Sequence, residues 1–100
     1  MDKTLIKVYS QVAALNVLVA HALAVAIREH DDPRGTMRHI LLATEQQLAD
    51  TMNSLRESNP GEAAEALSAM SDASRENVLY VAGMVDSLLR HMGAPPASDV

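Results

Sequence analysis

The chain has no cysteine, no phenylalanine and no tryptophan, and Tyr9 and Tyr80 supply its whole aromatic content of 2%. Without cysteine there can be no disulfide, no thiolate nucleophile and no Cys-based zinc site. The same absence suits a reducing cytoplasm, where this reading places the protein. Glycine is also scarce, with four residues scattered along the chain. No Gly-rich phosphate loop and no Gly-x-Ser-x-Gly elbow can be built from them, so nucleophilic and phosphate-loop chemistry lack support. Positive charge is short too. The formal charge of −5 argues against broad attraction to nucleic acid or to anionic lipid.

Long uninterrupted apolar runs are likewise missing. Lys3 and Lys7 precede an apolar stretch from Val12 to Ile27, and Ala20-His21-Ala22 has the small-residue spacing of a signal-peptidase site. Asn16 and His21 interrupt that stretch, and it is short for a membrane span. The expectation is a protein that neither enters a membrane nor binds nucleic acid.

What the chain does have is aliphatic side chains and alanine. Hydrophobic residues make up 48% of it, including sixteen alanines, so the core is built from Leu, Val, Ile, Met and Ala. Alanine favours helix and lets helix axes approach closely. One hundred residues make one domain, which buries roughly two-thirds of the surface its unfolded form exposes. The expected fold is all-α: three long antiparallel helices in an up-down-up bundle over residues 1–93, assembled as a homodimer, with residues 94–100 as a disordered tail.

The periodicity predicts helices over about 3–30, 33–58 and 60–92. In the first, Leu5, Val8, Val12, Leu15, Val19, Ala22 and Ala26 alternate in steps of three and four, the a/d pattern of a helix seam. Asp32 is placed to cap the second helix, with Pro33 at its first position. That helix carries an apolar stripe through Met37, Leu41, Leu48 and Leu55. Asn59-Pro60-Gly61-Glu62 then reads as a second cap. The third helix carries Leu67, Met70, Val78, Val81, Val85, Leu88 and Met92, with a weak point at Ser71–Ser74 where it could break. Gly93 ends it and Pro95-Pro96 prevents its resumption.

Self-association follows from the first helix. Its polar side is marked by Lys3, Lys7, Ser10, Gln11 and Arg28, yet the middle turns of that side carry Ala14, Leu18, Ala22 and Val25, broken by His21. A helix apolar almost all round needs partners on every side. Two further helices cannot supply them, so Leu15, Asn16, Leu18 and Val25 are expected at an interface with a second copy. A buried Asn16 can fix register there, or it can be a locally satisfied polar residue.

Candidate chemistry gathers where the end of the first helix, the start of the second and the end of the third meet. Arg28, Arg34, Arg38 and Arg90 could hold an anion there, near a helix N-terminus. His30, Asp32, His39 and His91 are the alternative, as ligands to a divalent metal. Neither set has fixed spacing; HExxH, ExxH and paired His at i and i+4 are all missing, as are the further helical ligands of a hemerythrin-like centre. Ala20-His21-Ala22-Leu23 resembles the surroundings of the phospho-accepting histidine in histidine-phosphotransfer bundles. Ala24 and Val25 stand where that family usually has Lys and Gly, and a half-buried interface histidine is the stronger expectation. The function expected is a small non-enzymatic helical oligomerisation and interaction module, a regulator or adaptor without cofactor. Leu42, Leu79 and Leu89, off the main stripes, could touch another protein, although Leu89 fits a core position better. A ligand- or metal-responsive protein using the polar end is the second expectation.

Overall fold

The computed structural model describes residues 2–58, 61 and 63–97. It contains three α-helices: α1 (Lys3–Ile27), α2 (Pro33–Ser58) and α3 (Ala63–His91). No strand occurs among the described residues. Asp2 opens α1 by accepting the amide of Thr4 at 3.0 Å. The helix closes at Ile27, three residues before the boundary read from the sequence, and a turn over residues 28–32 leads into α2.

The second start is built as its residue types suggest. Asp32 accepts the amide of Gly35 at 3.1 Å, its carbonyl accepts Thr36 at 2.8 Å, and Pro33 takes the first helical position. A Cβ at position 35 would run into the Asp32 carboxylate, so glycine is what lets this cap close. Of the cap proposed at Asn59-Pro60-Gly61-Glu62, only Gly61 lies inside the described residues; it has a φ of 88°. α3 is continuous through Ser71–Ser74. It ends in a Schellman motif, with Gly93 at φ 90°, the Gly93 amide on the Arg90 carbonyl and the Ala94 amide on that of Leu89. Ala94 then packs on the core, which anchors the start of the C-terminal segment.

α3 is the central element. α2 runs antiparallel along it in constant register, as the ion pairs Arg34–Asp86 and Glu45–Arg75 mark. α1 runs parallel to it, with Asn16 beside Asn77 and Ile27 in one cluster with Leu89. α1 and α2 themselves scarcely touch. The main core cluster is Ala20, Ala24, Ile27, Met37, Ala82, Val85 and Leu89, toward the α1–α2 turn, and Met52 and Leu67 are buried toward the other end of α2 and α3. Val85 and Leu89 are wholly buried. Leu89 is therefore a core residue and leaves the set of candidate docking leucines; Leu42 and Leu79 are exposed.

The three helices form the expected up-down-up bundle, open and flat because α1 and α2 scarcely touch. Its extents are 48 × 37 × 16 Å and its radius of gyration is 16.3 Å, against about 13 Å for a compact chain of this length.

Candidate functional site

The cap at Asp32 aims the polar end of the bundle. Arg34, in the first turn of α2, reaches across to α3 and grips Asp86 with two parallel bonds of 2.7 and 3.1 Å. Arg90 approaches the same carboxylate from one turn further along α3, at 3.2 Å. The Arg34 hydrogen bond holds the Asp86 carboxyl below the ordinary carboxylate range; partial burial opposes this, and the charges of Arg34 and then Arg90 add to it. The same bond raises the Arg34 guanidinium.

This arrangement changes the anion reading. Two of the four arginines, Arg34 and Arg90, spend their donors on Asp86, and Arg28 pairs with Glu29 at 3.5 Å. Only Arg38 has no ion pair among the described residues; it borders a shallow cleft with Arg34, Met37, Leu79 and Asp86. The cluster is a fastening between α2 and α3, and the four arginines do not converge on one point.

The metal reading fares similarly. His30, Asp32 and His39 rim one open depression. His91 lies outside it, donating instead to the Ser87 carbonyl one turn back at 2.8 Å. Asp32 is engaged as the α2 cap. Among the described residues no three His, Asp or Glu side chains are grouped to hold a metal ion. His21 also bonds back along its own helix, to the Val17 carbonyl at 2.9 Å, and is exposed.

α1 is the other candidate. The line it presents to α3 is Asn16, Ala20, Leu23, Ala24 and Ile27. At 100° per residue, that line is rotated by roughly 100° from the a/d seam read in the sequence. Every residue of the seam, from Leu5 to Ala26, is exposed. Along the packed line Ala20 and Ala24 let α3 come close enough to bury Val85 completely, with Leu23 and Ile27 packing on either side.

Contact between α1 and α3 thins toward the N-terminus. Asn16 and Asn77 exchange two amide bonds, 2.9 and 3.3 Å, and before them all side chains of α1 from residue 3 to residue 15 are exposed. Asn16 thus faces α3. The other three residues read as an interface point elsewhere: Leu15 is 59% exposed and Leu18 66%, and Val25 is exposed beside them. Asn77 was not singled out in the sequence, although it sits one heptad before Met84 and one turn before Val81, on the stripe α3 offers to α1. By length and composition α1 could cross a membrane.

Comparison with protein-family models, with curated proteins and with solved structures returned no match.

Proposed function

We propose that this protein is a small non-enzymatic helical module that works by self-association, serving as a regulator or adaptor in the cytoplasm. The observation that carries the reading is α1, a 25-residue helix apolar around most of its circumference with only Ala20, Ala24 and Ile27 buried in the chain. Exposed apolar surface of that continuity is an association surface. Leu42 and Leu79, both exposed on other helices, offer further contact to another protein.

The test is molar mass by light scattering across a dilution series. A multiple of 10.7 kDa that falls on dilution supports the reading. A monomer at every concentration refutes it.

A second reading is favoured by one observation, the length and composition of α1, which also suit a lipid bilayer. Against it stand Gln11, Asn16 and His21 within the helix and the tie from Asn16 to Asn77. Co-sedimentation with neutral phosphatidylcholine vesicles would establish it in place of the first.

A further inference from the structure

We infer that α1 pairs antiparallel with α1 of a second copy of this chain, about a two-fold axis passing beside Leu15. The inference rests on the self-association proposed above and adds the surface, the direction and the register.

Area points to a partner of this size. The chain exposes 7248 Å², whereas a compact monomer of its mass exposes about 5,500 Å². The surplus of about 1,700 Å² exceeds the roughly 800 Å² each partner contributes to a standard interface, and it lies in the range of obligate homodimers. The a/d seam of α1 supplies the matching pattern: a coiled-coil repeat that the fold of the single chain leaves unused.

Charge selects the direction. α1 has no acidic residue in its first turn and no basic residue in its last. Lys3 and Lys7 stand at the positive end of the helix dipole, while Glu29 and Asp31 follow its negative end. A parallel pair would bring the lysine-bearing ends of both copies together, and likewise the ends bearing Glu29 and Asp31. An antiparallel pair with this axis sets Lys3 level with the carbonyl end of the second copy, two residues from its Glu29, whose side chain is 85% exposed with Arg28 at 3.5 Å. Each lysine-bearing end then lies beside an acidic one, twice over by symmetry.

Side-chain size selects the register. With the axis at Leu15, the two copies of Leu15 meet, Val8 faces Ala22, Leu5 falls beside Val25 and Ala26, and Val12 falls beside Leu18 and Val19. Away from the axis, Leu5 and Val8 thus lie against alanine and Val12 against valine. In a parallel pair Ala22 would face Ala22 and Ala26 would face Ala26, leaving one end hollow.

Single cysteines placed in this cysteine-free chain test the geometry. Under mild oxidation, full-length Leu15→Cys should convert mostly to a disulfide dimer. Val8→Cys should not, because the two copies of position 8 would lie about 21 Å apart, far beyond disulfide reach. Leu42→Cys, exposed on α2, is the control for random collision. Rapid cross-linking of Val8→Cys would overturn the inference in favour of a parallel pair. Cross-linking of Leu42→Cys with none at Leu15→Cys would place the interface on another helix. A native chain that dimerises while Leu15→Cys stays uncross-linked refutes this interface but leaves self-association standing. A native monomer, or one that partitions into vesicles, sinks both.

Discussion

The two halves of α1 share one aliphatic seam and have opposite surroundings. From Asn16 to Ile27 the helix lies on α3, and Ala20, Ala24 and Ile27 are buried. From Lys3 to Leu15 every side chain is exposed, although Leu5, Val8, Val12 and Leu15 are as apolar as anything in the core. The bare half is the more polar, with Lys3, Thr4, Lys7, Ser10 and Gln11 against Asn16 and His21 in the covered half, yet its aliphatic seam is unbroken. The covered half has alanines one turn apart that admit the α3 backbone; the bare half presents bulkier side chains and leads away. Apolar character shows that a surface wants burial, and side-chain size shows by what.

The sharpest way to break this comparison is at the closed half. Leu89→Ala should destabilise the fold by about 3 kcal/mol, because it opens a cavity among Ala24, Ile27 and Val85. Leu15→Ala, on the bare half, should leave the stability of the dilute chain unchanged within about 0.5 kcal/mol. Urea denaturation at low protein concentration measures both. Equal losses would mean that the two halves are packed alike.

Much of this fold was legible in the sequence. Pro33 after Asp32 and Gly93 before Pro95 are backbone signals whose cause is local, and they fell where expected. The α2 stripe was legible because polar residues bound it, and Met37 is buried as the pattern required. The packing line of α1 was not. A helix apolar almost all round has several stripes of equal merit, and periodicity cannot choose among them. The polar end was misjudged for a related reason. Arg34, Arg38 and Arg90 were visible as a group, but Asp86, which takes up Arg34 and Arg90, is 52 residues from Arg34 and carries no local mark. Asn16 was legible as a polar residue in an apolar setting; its partner Asn77 was not, since it lies 61 residues away.

Next in size is the α2 cap. Asp32→Ala should cost about 1 kcal/mol by leaving the Gly35 amide without its acceptor. The loss should appear in thermal melts as loosening of the end where all three helices meet. No change would mean that water replaces the cap without penalty.

A smaller effect marks the boundary between the halves. Asn16→Leu alone should cost about 0.5 kcal/mol by breaking the reciprocal pair with Asn77, and adding Asn77→Leu should recover most of it. A double-mutant cycle reads the coupling. Additive losses would show that the two amides act independently and that α1 leaves α3 elsewhere.

The smallest effect is set by pH. The Asp86 carboxyl is held below its ordinary range in the folded chain by Arg34, so its contribution is fully present above the unfolded value of about 3.9. That contribution fades as pH falls through the lower folded value. Denaturation midpoints should drop between pH 5 and pH 2.5, and Asp86→Asn should lower the midpoint at pH 6 while shrinking the acid drop. An unaltered acid drop in that variant would assign the effect to other carboxylates.

The central claim, that the bare half of α1 is covered by another copy, is tested most directly by amide hydrogen exchange at several protein concentrations. Protection over residues 3–15 should rise with concentration while that of residues facing the Val85–Leu89 core stays constant. Equal protection of both regions at every concentration, or a bare half that never gains protection, would contradict the account.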